Sequence, residues 1–415
     1  MHTGIVPCRG CASALSRVLA DLGETPLANG LVAAEKLARP APRYPLRVMV
    51  CEACRLVQLD RDLPPAAMFS DYLYFSSYSA SWLAHARVYA DTMIRRFGLG
   101  ANSRVVEIAS NDGYLLKNFV AAGIPCLGVE PAANVAEVAV AAGVPTVVGW
   151  FGRDLGGRLR DEFGPADLIA ANNVLAHAPD IHDFIGGVAR LLAPGGVWTV
   201  EFPHLLRLLD ETQFDTIYHE HVFYFSLLAL EPILARHGLR VVDVDELATH
   251  GGSLRLYIRP TTAADGASDA VRAVRAAEDA AGLADGSAYD GFQARIARIC
   301  ADLRGFLDEA RAKGRRVAAY GAAAKGATLL DTAGVGAADL TYVCDRNPHK
   351  QGLCLPGSGL PVVAVERLAE DRPDDVLVLP WNLADEIGRE IAWIAEWGGR
   401  LVRAVPALTV WDPPR

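Results

Sequence analysis

The sequence predicts an α/β chain in three parts: a small N-terminal cysteine module, then two successive units built on parallel sheets. Three observations carry this. Four of the eight cysteines stand in the first 54 residues, as two Cys-x-x-Cys pairs. From residue 103, short apolar runs alternate with helical periodicity, the pattern of strands and crossover helices in a parallel sheet. Past residue 316 the same alternation begins again. A chain of 415 residues has room for two or three domains, since domains run about 100–200 residues. The expected divisions are 1–65, 66–245 and 246–415.

Composition narrows the class. Hydrophobic residues make up 51% and charged ones 21%, which suits a globular protein with sizeable cores. A net charge of −9 argues against a general nucleic-acid binder or a polybasic membrane binder. No apolar run reaches the ~18 residues of a membrane span. Met1-His2-Thr3-Gly4 lacks the basic and apolar regions of a secretory signal. The expected location is the cytoplasm.

The elements follow in order. In the module a strand is expected over 44–50, among prolines 26, 40, 42 and 45. Residues 79–97 carry Trp82, Leu83, Ala86, Tyr89, Met93 and Phe97 at helical spacing. Strands at 105–109, 125–130, 146–149, 167–171 and 197–202 alternate with helices at 113–122, 132–142 and 182–192. Pro194-Gly195-Gly196 stops the last helix. A strand is expected at 254–259, and the alanine-rich 262–313 reads as one or two helices. The second α/β unit is strand 316–320, helix 325–332, and strands 340–345 and 376–379.

The cysteines come first as a site. Cys8-x-x-Cys11 and Cys51-x-x-Cys54, with 39 residues between the pairs, supply four thiolates. Two such knuckles fill a tetrahedral zinc ion and leave no open position, so the metal is structural. Zinc also compensates for the small core of a module this size.

The strand at 105–109 turns into its helix through Glu107-Ile108-Ala109-Ser110-Asn111-Asp112-Gly113. A dinucleotide fold places Gly-x-Gly-x-x-Gly there to admit a pyrophosphate. Here Ser110 and Asn111 replace two of those glycines, and Glu107 and Asp112 repel phosphate. A cationic, phosphate-free nucleoside is the better guest. Glu130, followed by Pro131, lies 23 residues past Glu107, the place of the ribose-binding acid in such folds. Asn172 and Asn173 put two amides at the sheet's carboxyl edge. In this order the set suits S-adenosylmethionine, with adenosine on Glu130 and the amino-acid end near the first loop.

Asp215-Thr-Ile-Tyr218-His219-Glu220-His221-Val-Phe-Tyr224 packs titratable groups among aromatics. Metal-binding His-Glu-x-x-His places its histidines one helical turn apart. His219 and His221 are two residues apart, which argues for acid–base work instead, histidine being the side chain that titrates nearest neutrality. His177 follows the Asn pair and overlooks the same edge.

On these residues the chain resembles the S-adenosylmethionine-dependent sugar C-methyltransferases of deoxysugar biosynthesis, including antibiotic sugars, over essentially its whole length. The matching pieces are the four cysteines, Tyr74-Phe75-Ser76-Ser77, Glu107–Gly113, Asn172–His177, Glu201-Phe-Pro203, Phe214–His221, Thr249-His-Gly-Gly-Ser-Leu-Arg255, Ala319–Gly326 and Cys344–Lys350. The resemblance implies a small N-terminal zinc module, a central class I methyltransferase Rossmann-like domain and a C-terminal second Rossmann-like α/β domain. It adds Ser76 and Ser77 to the donor site. It implies a small-molecule substrate, a 4-keto-6-deoxysugar linked to a nucleotide, usually thymidine diphosphate. Methylation is implied next to the ketone, commonly at C-3 and in some relatives at C-5.

A sugar carbon becomes nucleophilic only when its proton is removed beside a carbonyl, which needs a base near neutral pKa and donors for the enolate oxygen. His221 is the expected base, with Glu220 orienting it. Tyr218 and His177 would hydrogen-bond the ketone or enolate, and Tyr72 borders the site by motif match, with Tyr74 and Tyr78 as competitors. The sugar nucleotide is expected on the C-terminal unit. There Tyr320-Gly321 turns into a helix bearing Lys325, and Arg346, His349 and Lys350 form a basic patch. Two other readings stay open: a nicotinamide-dependent sugar-nucleotide oxidoreductase or epimerase, and a zinc-bearing binding protein without activity.

Overall fold

The computed structural model describes residues 6–37, 41–61, 63, 76–78 and 80–414. The N-terminal module holds strands β1 (Arg17–Pro26), β2 (Val32–Ala33), β3 (Arg43–Val50) and β4 (Val57–Leu59). β1, β3 and β4 form an antiparallel sheet, and β1 is bent by two register shifts against β3. Gly23 stands at φ 76° in the second of them, a conformation glycine adopts without penalty.

The central unit supplies β5 (Val105–Ile108), β6 (Cys126–Glu130), β7 (Thr146–Val148), β8 (Ala166–Asn172) and β9 (Leu192–Pro203). These five are parallel, with helices Leu116–Ala121, Ala133–Ala141, Arg153–Glu162 and Ile181–Leu191 as crossovers. Asp180 caps the last helix by accepting from the His182 and Asp183 amides at 3.0 and 2.9 Å. Pro194-Gly195-Gly196, expected only to end that helix, falls inside β9, where the register against β8 shifts. Next come β10 (Phe223–Tyr224), β11 (Leu239–Leu247) and β12 (Ser253–Pro260). The sheet order is β11-β12-β9-β8-β5-β6-β7, so the chain reverses direction between β5 and β8. β10 joins the module's sheet beside β4. The Tyr-His-Glu-His stretch just before it is thereby drawn between the two units.

The antiparallel hairpin β11–β12 carries the central sheet to residue 260, past the division expected at 245. Arg255 on β12 sits directly opposite Glu201 on β9, and the two form a buried ion pair at 2.6 Å. A strand that places a buried cation against a buried carboxylate belongs to that sheet, since either charge alone would be strongly destabilising there.

Two helices, Asp269–Ala280 and Phe292–Ala312, occupy the alanine-rich stretch. The C-terminal unit contains β13 (Val317–Tyr320), β14 (Val343–Cys344), β15 (Leu353–Cys354), β16 (Val362–Val363), β17 (Asp375–Val378), β18 (Arg400–Arg403) and β19 (Thr409–Trp411). Its order is β16-β14-β13-β17-β18-β19, parallel except for β19. β15 pairs with β2 of the module instead. The strand expected over 340–345 shrinks to two residues. One continuous core joins Leu46 and Val48 of the module to Leu303 and Phe306 of the long helix and to Val317 and Leu377 of the C-terminal sheet.

Glu278 ties this frame together from the helix Asp269–Ala280. Its buried carboxylate accepts from the Leu227 and Leu228 amides at 2.7 and 2.8 Å, and pairs with His204 Nε2 at 2.8 Å. It thus closes the N-terminus of helix Leu227–Ala235, where Ser226 Oγ also accepts from the Ala229 amide. Glu278→Ala strands two amides and an imidazole without an acceptor. We expect a loss of about 3–5 kcal/mol, read from the urea midpoint.

Candidate active site

The sulfurs of Cys8, Cys11, Cys51 and Cys54 all lie within 4.8 Å of one another. Cys8–Cys54 and Cys11–Cys51 approach to 3.6 and 3.5 Å, close to the roughly 3.8 Å edge of a tetrahedron with Zn–S bonds of about 2.3 Å. The Gln58 amide and the Gly10 backbone N–H donate to Cys8 Sγ at 3.1 and 3.3 Å, the support a thiolate ligand needs. Donor set and spacing fit a closed, structural zinc site.

A cavity of about 770 Å³ opens where the carboxyl ends of the two parallel sheets meet. From the central sheet come Asn111 after β5, Glu130 and Pro131 at β6, and Asn172 and Asn173 at β8. From the C-terminal sheet come Ala323, Ala324 and Lys325 after β13, and Pro380 and Asn382 after β17. Tyr218, Glu220, His221 and His177 line the space between.

On the donor side, the Glu130 carboxylate accepts from the Asn111 and Ala132 amides, both at 2.9 Å, which fixes it at the cavity edge. Burial raises its pKa. Asn172 Oδ1 and Asn173 Nδ2 are buried with no hydrogen-bond partner among the described residues. Ala109, Asn111 and Asn173 hold φ of 57°, 50° and 55°, the left-handed region that side chains avoid. Such strain at the carboxyl edge persists only where the surroundings enforce it. Orphaned amides, an anchored acid and the aromatic walls Trp150, Phe151 and Phe184 fit a nucleoside with a polar amino-acid tail.

On the reaction side, His221 Nδ1 pairs with the Thr216 carbonyl at 2.8 Å and Nε2 with the Tyr218 hydroxyl at 2.8 Å. Nδ1 therefore carries the proton and Nε2 the lone pair. Burial, reinforced by the His177 ring at 5.0 Å, holds the His221 pKa well below the usual histidine range. Burial takes His177 down to about 4. Both imidazoles are neutral near pH 7. Glu220, 5% exposed, is pushed up to about 7 by burial and accepts from Asn29 Nδ2 at 2.7 Å. The expectation that Glu220 orients His221 is corrected, because the Thr216 carbonyl does that. His219 turns away, against Tyr44 and the Pro45 carbonyl.

Three comparisons bear on this geometry. Residues 248–406 match the family described as "C-methyltransferase C-terminal domain", residues 82–244 the "Methyltransferase domain" and residues 8–69 the "Putative zinc binding domain". The C-methyltransferase NovU of Streptomyces niveus is 38% identical over 399 residues, covering 96% of this chain and 95% of its own length. The chain belongs to the S-adenosylmethionine-dependent C-methyltransferase family. This sets aside the nicotinamide and non-catalytic readings. Among solved structures, the magnesium protoporphyrin IX methyltransferase of Synechocystis PCC 6803 is similar at 14% identity, covering 43% of this chain and 83% of that one, TM-score 0.34. An S-adenosylmethionine-dependent methyltransferase of Mesorhizobium loti is similar at 15% identity, covering 43% of this chain and 99% of that one, also at 0.34.

Within this methyltransferase, several expected donor-site residues stand behind the cavity wall. Glu107 is buried, with burial first and then Glu130 and Asp112 pushing its pKa well up. Ser110 packs on β6, where a Cβ on Gly128 would meet its Oγ at 2.3 Å. Gly113 stands at φ 78° with Val144 2.9 Å from any added Cβ. Asn111 and Asp112 side chains accept from the Ser76 and Ser77 amides at 2.9 and 3.0 Å, so these two residues brace the loop. Of these seven residues, Asn111 and Ser76 line the cavity. Tyr72 and Tyr74 lie outside the described residues, as does the Tyr78 side chain.

In the C-terminal unit, Lys325 and Lys350 line the cavity; Tyr320, Gly321 and Arg346 do not. Tyr320 and Arg346 both bind Glu390, at 2.9 and 3.0 Å, on another side of the sheet. Lys325 Nζ donates to Asn382 Oδ1 at 3.0 Å and lies 4.7 Å from the Trp381 ring centroid. Burial lowers it to about 8, and buried Asp215 rises to about 6 for the same reason. The pair is charged between those values. Asn29, Asn382 and His250 also line the cavity, none of them among the residues expected from sequence. His250 lines the cavity at φ 56°, and its signal was the Gly251-Gly252 pair that follows.

The zinc site gives a direct expectation. The purified protein should carry one zinc per chain by elemental analysis. Cys51→Ser should lower the metal content and the melting temperature together, while a metal-free protein of unchanged melting temperature would contradict the assignment.

Proposed function

We propose that the substrate is a nucleotide-linked 4-keto-6-deoxysugar, most simply a thymidine diphosphate sugar, methylated at the carbon beside its ketone, at C-3 in preference to C-5. The observation that carries this reading is His221 Nε2, an acceptor nitrogen kept neutral inside a cavity lined by hydroxyl, carboxyl and ammonium groups. Carbon methylation of this kind needs an unprotonated base at the α-proton and donors for the enolate it leaves.

S-adenosylmethionine supplies an electrophilic methyl group when bound. Glu130 would hold its ribose, and Asn172 and Asn173 its polar tail. The remaining steps belong to this chain's residues. The α-C–H bond breaks and its proton passes to His221 Nε2, while the bonding electrons move into the enolate. Tyr218, released from Nε2, donates its hydroxyl to the enolate oxygen, and His177 flanks the same position. Preorganised donors of this kind are worth about 3–4 kcal/mol each in a water-poor site. The nucleophilic carbon would then form its C–C bond to the methyl group of bound S-adenosylmethionine, whose S–CH3 bond would break with its electron pair passing to sulfur, and the enolate oxygen becomes a ketone again. Lys325 near the start of helix Ala324–Thr332, and Lys350, which also lines the cavity, would meet the negative charge of the diphosphate.

The test is hydrogen exchange at carbon. A thymidine diphosphate 4-keto-6-deoxysugar in deuterium oxide, with demethylated cofactor bound, should exchange one α-proton, and NMR identifies the carbon. His221→Asn should stop exchange. Exchange at the wild-type rate in that variant would remove His221 as the base. The pH profile has a sign. The neutral imidazole is the active form and its pKa is lowered, so kcat/KM should hold through pH 6.5, where an exposed histidine titrates, and fall only below it. The KM for the sugar nucleotide should rise above about pH 8, where Lys325 loses its charge.

A further inference from the structure

The zinc module reaches the active site with one side chain. Between β1 and β2 the chain makes a tight turn, with the Gly30 amide donating to the Leu27 carbonyl at 2.9 Å. Both ends of this loop are fixed. β1 lies in the module's own sheet, and β2 pairs with β15 of the C-terminal unit. At its tip Ala28 is buried against Ala324 and Ala327 of the helix Ala324–Thr332, with Tyr218 packed on the same cluster. Three small side chains let the loop approach that helix closely. The next residue, Asn29, is thereby placed at the cavity wall, where Nδ2 donates to Glu220 Oε1 at 2.7 Å.

That bond decides how Glu220 can act. An amide N–H is only a donor, so Oε1 must be an acceptor, and any proton the carboxyl holds belongs on Oε2. Oε2 makes no hydrogen bond to another described residue, while Glu220 itself lines the cavity. The group thus presents either an acceptor or an O–H donor to whatever enters. A carboxyl group free to rotate would divide its proton between two oxygens and two directions.

We propose that Asn29 is a positioning residue for methyl transfer, through which the zinc module fixes the Glu220 carboxyl group so that its second oxygen meets the substrate. The role rests on the reaction site proposed above and adds a part to it that comes from outside the two sheet domains. Burial then sets the group near neutrality, at about 7, where it can give or take a hydrogen bond at the sugar.

Two readouts on the zinc-loaded, full-length protein test this, one with substrate and one without. In infrared pH titrations the carboxylic-acid band of Glu220, identified by its absence in Glu220→Gln, should have a midpoint near 7. Asn29→Ala removes a donor that favours the carboxylate, so the midpoint should move up, and the isosteric Asn29→Asp should move it further. With a thymidine diphosphate 4-keto-6-deoxysugar, Asn29→Ala should lower kcat at least tenfold and leave the KM for S-adenosylmethionine within twofold. In a Glu220→Gln background it should cost no more than twofold. Asn29→Asp, with zinc content and melting temperature at wild-type values, guards against a folding defect. An unmoved midpoint, wild-type kcat in Asn29→Ala, or an equal loss with and without Glu220 would overturn the proposal. Failure of the wild-type enzyme to turn over this sugar would count against the proposed substrate instead, since the infrared titration needs none.

Discussion

The Trp381 indole is the contact on which the site depends. Its Nε1–H donates to buried Asp215 at 2.7 Å, and Lys325 lies over its ring. The ring also lies against the β11–β12 turn, where a Cβ on Gly251 would meet it at 2.3 Å. A single side chain from the C-terminal unit therefore touches the segment leading into Tyr218–His221, the turn bearing His250, and the cationic lysine. Asp215 and Lys325 are each too buried to stand alone as charges. Their mutual attraction, with the indole as a shared polar neighbour, makes this burial tolerable.

Because the site where these segments meet is poor in water, its histidines behave unlike exposed ones. His221, His177 and His250 all have lowered pKa values, with loss of water as the main cause in each. The same loss raises Glu220 and lowers Lys325, bringing both toward neutrality. One environment thus yields neutral imidazoles, a carboxyl group near its midpoint and a lysine that keeps its charge at neutral pH. General acid–base chemistry needs such a set.

Features fixed by local spacing were the legible ones. The two Cys-x-x-Cys pairs, the alternation of strand and helix, the acid at 130 and the Asn pair all have their meaning within a few residues, and each stands where spacing placed it. What sequence could not show is what distant segments bring together. Asn29 carries no signal except an Asn-Gly turn, and its partner is 191 residues away. Adjacency in sequence suggests Glu220 as the partner of His221, yet the Thr216 carbonyl, five residues back, takes that place. The link of the β11–β12 hairpin to the central sheet is the cross-strand pair of Arg255 and Glu201, which periodicity does not reveal. Arg346 was grouped with Lys350 by proximity in sequence, yet it faces Glu390 on another side of the sheet.

His221 is a half-buried, neutral acceptor with its proton on Nδ1, held there by the Thr216 carbonyl. Nitrogen NMR of the ¹⁵N-histidine-labelled protein, with His221→Asn to assign the resonance, reads both the charge and the tautomer. The Nδ1–H form should persist unchanged as the pH falls through 6.5. An imidazolium at neutral pH, or a proton on Nε2, would contradict it.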